Sequence, residues 1–227
     1  MNILITGTSS GLGYELAKQF EANGDTVYGI SRSKSDLNIK QIQCDLGKLY
    51  RIIPTLENLI DTPSFDVVIL NAGQLGEIKK GKEITINQFE NIFNINVLAN
   101  KIIIDWLLNK DIKVKNIIGI STGAAIKSYY GWSLYCTSKA AFKQLIASYA
   151  LENKNTHFIS LAPGIIKTKM QDYITSIDEN KIPSVKKFKD MFDSMDPPDV
   201  VARRIIQFIP CLKSITSGTY FDLRNRK

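Results

Sequence analysis

Apolar and β-branched residues gather in short runs along this chain. Between them lie longer stretches whose apolar positions recur every three or four residues. The short runs are Asn2–Thr6, Thr26–Ser31, Ile39–Cys44, Asp66–Leu70, Lys115–Ser121 and Thr156–Leu161. The longer ones are Gly11–Asn23, Lys48–Ile60, Asn87–Asn109 and Ser133–Asn153. Strand-length runs alternating with helix-length runs predict a parallel sheet with helices on both faces: an α/β, doubly wound domain of the Rossmann type with right-handed crossovers. Two places break the alternation. Arg32–Asn38 is too short and polar for a crossover helix, so the second and third strands are expected to connect without one. Lys169–Pro198 is long and amphipathic, and is expected to form a substrate loop or lid. Pro197-Pro198 then opens a last helix, Asp199–Phe208.

Composition narrows the class. The 227 residues are 44% hydrophobic and 22% charged, which suits one globular domain. No apolar run reaches the roughly 18–20 residues that span a bilayer. Met1–Gly7 reads as a strand entering a glycine turn rather than a signal peptide. Three scattered cysteines, Cys44, Cys136 and Cys211, form neither a metal pattern nor a disulfide framework and fit a reduced, cytoplasmic compartment. With one histidine, His157, read as structural, no His-based metal site or triad is expected. The net charge of +7 would suit nucleic acid. The lysines are scattered, however, and no aromatic platform accompanies them. They read as a solvated surface that mildly favours a polyanionic dinucleotide.

Candidate chemistry begins at Thr6-Gly7-Thr8-Ser9-Ser10-Gly11-Leu12-Gly13, which follows the first strand and opens the first helix. Glycines there permit a tight turn and a close approach of backbone to a pyrophosphate, and the helix start offers free N–H groups. Ser31-Arg32 follows the second strand where NAD-binding folds usually carry an acid. A hydroxyl and an arginine suit the 2′-phosphate of NADP(H), although a solvated loop arginine is the plain alternative. Asp45 is placed to meet the adenine edge, and Asn71-Ala72-Gly73 offers small residues beside the cofactor.

Tyr135 and Lys139 stand four residues apart on one predicted helix and share a face. Bringing a phenol from near 10 to neutrality takes about 4 kcal/mol. A lysine cation at about 4 Å supplies about that much at an effective dielectric near 20. Thr122 ends the fifth strand, where ligands bind in such sheets, and its hydroxyl can donate to a carbonyl. Ser121 is an alternative for the same role. Asn96, mid-helix, reads either as a tolerated polar residue or as a kink holding a water beside Lys139.

Together these residues resemble the short-chain dehydrogenase/reductase family. Thr6-Gly7-xxx-Gly11-x-Gly13, Asn71-Ala72-Gly73, Asn96, Thr122, Tyr135-xxx-Lys139 and Pro163-Gly164-xxx-Thr168 match its motifs in order over nearly the whole chain. The resemblance implies a catalytic set of Asn96, Thr122, Tyr135 and Lys139, with threonine where the family has serine. It also implies cofactor contacts that include Leu46, Pro163, Gly164, Ile166 and Thr168. Within the family the chain is most similar to sepiapterin reductases and bacterial benzil reductases, by Asn71–Gly76, Gly131–Cys136, Thr168–Gln171 and Ser217–Asp222. That likeness implies Trp132, Met170 and Asp222 on the substrate side. For Asp222 a pterin anchor competes with a simple ion pair to Arg224 and Arg226. The expected function is NADPH-dependent reduction of a vicinal dicarbonyl or a sepiapterin-like side-chain ketone, in a homodimer or homotetramer packed through 87–109 and 133–153. A non-catalytic NADP-binding sensor of the same fold is the alternative.

Overall fold

The computed structural model describes residues 1–225. Seven strands, β1 (Asn2–Thr6), β2 (Thr26–Ser31), β3 (Lys40–Gln43), β4 (Ser64–Leu70), β5 (Lys113–Ile120), β6 (His157–Ala162) and β7 (Tyr220–Asp222), form one sheet in the order β3-β2-β1-β4-β5-β6-β7. Every pairing is parallel. The helices are α1 (Gly11–Ala22), α2 (Ile52–Leu59), α3 (Ile86–Phe93), α4 (Ala99–Asn109), α5 (Ser133–Glu152), α6 (Lys169–Ser176), α7 (Lys186–Asp190) and α8 (Pro198–Phe208). None among the described residues is long and apolar enough to cross a membrane.

Strand side chains alternate between faces, and here both faces are covered. Leu4, Val68, Ile117 and Phe158 join the core under α2, α4 and α5. Their neighbours Ile3, Ile5, Val67, Ile69, Ile118 and Ile159 join the core under α1 and α8. This two-sided burial is why the strand runs read as nearly continuous apolar stretches. The chain winds outward from β1 in both directions, so the C-terminal ends of β1 and β4 flank a switch point where a crevice opens.

The link Arg32–Ile39 carries no helix, as its length requires. Two predicted helices are subdivided. The stretch 48–60 starts with a 3-10 turn at Leu49–Arg51 before α2. The stretch 87–109 is split, with a π-helical segment at Asn94–Leu98 between α3 and α4. Residues 169–198 are not an open loop. α6, α7 and two 3-10 turns pack Ile174, Ile182, Val185, Phe188 and Met195 against Trp132 in a third apolar cluster.

Candidate active site

The loops that leave the C-terminal ends of the strands line one cavity of about 900 Å³. At one end stands the glycine turn. Buried Thr6 ties the ends of β1 and β4 together, because its Oγ1 accepts from the backbone N of both Asn71 and Ala72 at 3.0 Å. Asn71 Nδ2 donates back to the Thr6 carbonyl at 2.9 Å. Gly7 has φ +81°, and a Cβ on Gly13 would stand 2.2 Å from the Gly7 carbonyl oxygen. Only glycine fits at Gly13, so the turn can fold tightly over the start of α1. Ser9, Ser10, Gly11 and Leu12 then face the cavity from a helix start whose N-cap side chain makes no capping bond.

The wall continues through Ser31, Arg32, Asp45, Leu46, Ala72 and Gly73. It is completed by Pro163, Gly164, Ile166 and Thr168 after β6, and by Trp132, Met170 and Asp222. Three expected contacts lie behind it. Thr8 is fully buried and donates to Ser31 Oγ at 3.4 Å. Gly13 packs inside the turn, and Asn96 is fully buried. These three act through the shape of the wall. The glycine cradle, with the exposed Arg32 at its edge, fits the pyrophosphate of a nicotinamide dinucleotide.

At the other end Thr122 and Tyr135 share the cavity wall, where the Thr122 hydroxyl, which accepts from Ala124 N at 3.3 Å, partly offsets what burial does to the phenol. Behind them Lys139, 5% exposed, donates from Nζ to the Ile120 carbonyl at 3.0 Å. The π-helical segment turns Asn96 inward. Its Oδ1 accepts from Gln74 N at 2.8 Å, and its Nδ2 donates to the Gln74 carbonyl at 2.8 Å and to Ser138 Oγ at 3.0 Å. A Cβ on Gly73 would sit 3.3 Å from both Asn96 Oδ1 and Lys139 Nζ, so these two groups converge on the β4 loop. Ser121 also lines the cavity, but its buried hydroxyl has no partner among the described residues.

The family model for short chain dehydrogenases matches residues 1–179. The chain belongs to the short-chain dehydrogenase/reductase family. A Bacillus subtilis benzil reductase that forms (S)-benzoin is 28% identical over 239 residues, covering 97% of each chain. A sepiapterin reductase of Meriones unguiculatus is 27% identical over 224 residues, covering 84% of this chain and 85% of its own. The crystal structure of an Escherichia coli short chain dehydrogenase complexed with NADPH superposes with a TM-score of 0.78 at 20% identity, over 98% of this chain and 96% of its own.

The electrostatics of this short-chain dehydrogenase/reductase correct one expectation. The Tyr135 phenol is pushed up rather than down, because burial dominates and the Thr122 hydroxyl offsets it only in part. Lys139 Nζ stands 5.9 Å from the Tyr135 ring centroid and donates to the Ile120 carbonyl. Burial brings the Lys139 ammonium down to about 8.

Asp222 is only 14% exposed, and both its oxygens are taken. Arg224 donates from Nε and backbone N to Oδ1 at 2.9 and 3.1 Å, and from Nη2 to Oδ2 at 2.6 Å. These bonds hold the carboxyl below its ordinary value. The other expected partner, Arg226, lies outside the described residues. Sequence reasoning missed Gln74, which contributes only backbone and leaves no side-chain signal. It also missed Ser138, whose position one turn after Tyr135 on the buried face could have flagged it.

The lysine shift has a measurable sign. An unfolded lysine titrates near 10.5, so between about pH 8 and 10.5 the unfolded chain holds a proton that the folded chain has lost. Below this window the cost of burying the cation is fully present; across it stability rises with pH. Urea melts should therefore find Lys139→Met gaining more over the wild type at pH 7 than at pH 10. An unchanged gap would mean that Lys139 is not desolvated.

Proposed function

We propose that this chain is an NADPH-dependent carbonyl reductase acting on a vicinal dicarbonyl or a sepiapterin-like side-chain ketone. The observation that carries the reading is the placing of the Thr122 hydroxyl and the Tyr135 phenol on one cavity wall, with the Lys139 cation behind them. The likeness to benzil and sepiapterin reductases supports the substrate class. Arg32 at the end of β2, where NAD-binding folds carry an acid, supports NADP(H) over NAD(H).

Bound along this wall, a reduced nicotinamide cofactor supplies the hydride. The residues of the chain do the rest. Thr122 Oγ1 orients the carbonyl and donates to its oxygen, and Tyr135 Oη gives that oxygen its proton. The Lys139 ammonium favours the phenolate left behind. Asn96 fixes the β4 loop against α5, so that these groups keep their spacing. The segment 169–198 roofs the substrate end as a lid and excludes water through its apolar cluster with Trp132. The proposed setting is the cytoplasm, and the proposed assembly is a homodimer or homotetramer packed through residues 87–109 and 133–153, that is α3, α4 and α5, which light scattering of the purified protein checks.

Tyr135→Phe should reduce NADPH consumption about 10²-fold or more, the usual span of general acid catalysis, while NADPH binding stays near wild type. Retention of more than about a tenth of the activity would remove Tyr135 as the acid. Arg32→Ala should weaken NADPH by roughly 10- to 150-fold, the worth of a charge-assisted pair, and leave NADH almost untouched. Equal losses for both cofactors in titrations would contradict the NADP assignment.

A further inference from the structure

The substrate end of the cavity is more positive than a neutral diketone needs. Among the described residues lining the whole cavity, the only carboxylates are Asp45, beside the glycine turn, and Asp222. Also lining the cavity are Lys127 after β5, Lys187 on α7 and Arg224 beyond β7. Lys169 also lines the cavity, but it adjoins Thr168, whose Cγ2 stands 3.7 Å from a Cβ placed on Gly11, and so it belongs with the phosphate turn. Without it, and beside the buried Lys139, three further cations face one acid.

That acid is not available to a ligand, since both its oxygens are engaged by Arg224. The pairing orients the guanidinium. Its Nε and Nη2 are spent on Asp222, while Nη1 makes no hydrogen bond among the described residues. The side chain lies across the β6 loop, with Cδ 3.3 Å from a Cβ placed on Gly164. Two phenols share the neighbourhood. Tyr129 and Tyr220 line the same cavity as Arg224. Tyr129 Oη stands 3.8 Å from a Cβ placed on Gly123, the residue after Thr122. Tyr220 Oη is buried without a partner among the described residues. A run of polar donors thus extends from Thr122 through Tyr129 to Arg224.

We propose that the substrate of this reductase is a ketone bearing a carboxylate, and that Arg224, braced by Asp222, receives the carboxylate while Thr122 and Tyr135 address the ketone. This rests on the reductase reading above and narrows its substrate class. A 2-oxo acid is the simplest member. Its ketone carbon takes the hydride and its oxygen takes the proton from Tyr135, giving a 2-hydroxy acid as NADPH is oxidised to NADP. An anchor for the guanidine-like edge of a pterin, which Asp222 would otherwise offer, is incompatible with this pairing.

The test uses phenylglyoxylate and its methyl ester, which share a skeleton and differ by one charge. With NADPH, kcat/KM should favour the acid at least about ten-fold, and Arg224→Gln should move the acid-to-ester ratio by about ten-fold or more toward the ester, as loss of a charge-assisted bond requires. Added salt should shrink the preference. An ester preferred by the wild type, or a ratio unmoved by Arg224→Gln, overturns the proposal while leaving the carbonyl reductase reading in place. Should neither compound be reduced, the reductase reading fails for this class and binding decides the anion site. Mandelate should raise the Tm of the wild type and not that of Arg224→Gln, and its methyl ester should raise neither. No shift with mandelate overturns the proposal.

Discussion

One buried amide joins the three elements on which the candidate chemistry rests. Asn96 bonds both the N–H and the carbonyl of Gln74 in the loop after β4, and it reaches Ser138 on α5, between Tyr135 and Lys139. A regular α-helix through residues 86–109 would not deliver this side chain in the same way. The π-helical segment Asn94–Leu98 shifts the helix by part of a turn and leaves local backbone bonds to be completed, one of them by Asn100 Nδ2 on the Asn96 carbonyl at 2.9 Å. Such segments carry a cost and recur at functional sites. Here the gain is a fixed distance between the β4 loop and the catalytic face of α5.

The sheet supplies the other half of that constraint. Phe142 on α5 packs against β5, where a Cβ on Gly119 would lie 2.8 Å from its ring. Lys139 Nζ reaches the carbonyl of Ile120 on the same strand. Thr122 follows two residues later. Phenol and cation are therefore positioned by packing of α5 on a rigid strand, and the hydroxyl by the 3-10 turn, capped by Thr122, that leaves it. Burying Lys139 keeps its charge poised near neutrality and confines its influence to a dry wall, where a cation acts strongly on its neighbours.

Much of this was legible in the sequence. The alternation of runs such as Asn2–Thr6 and Gly11–Asn23 announces the parallel sheet, because two-sided burial leaves continuous apolar strands. The polar shortness of Arg32–Asn38 announces the missing helix. Tyr135 and Lys139 are visible through helical spacing, and Gly7–Gly13 through its place between strand and helix. Other features depend on tertiary placement and leave no local trace. A π-helical segment differs from an α-helix by a single residue, so Asn96 reads from sequence as a tolerated polar residue or a kink, while its clamp on Gln74 and Ser138 depends on tertiary placement. The direction of the Tyr135 shift depends on how deeply the phenol is buried, which spacing to Lys139 does not reveal. The engagement of Asp222 by Arg224 was visible as a possibility of short range, but its depth in the cavity wall was not.

The role of the Asn96 amide is open to one direct measurement: single-turnover reduction of a vicinal diketone, with NADPH affinity measured alongside, in Asn96→Ala. Loss of the clamp should let α5 and the β4 loop drift. Turnover should then fall by roughly 10²-fold, the effect of about 1 Å of misplacement, while NADPH affinity, set at the glycine turn and Arg32, changes little. Turnover near the wild-type rate in a folded variant would contradict the account, and would mean that packing of α5 on β5 suffices to hold Tyr135 and Lys139 in place.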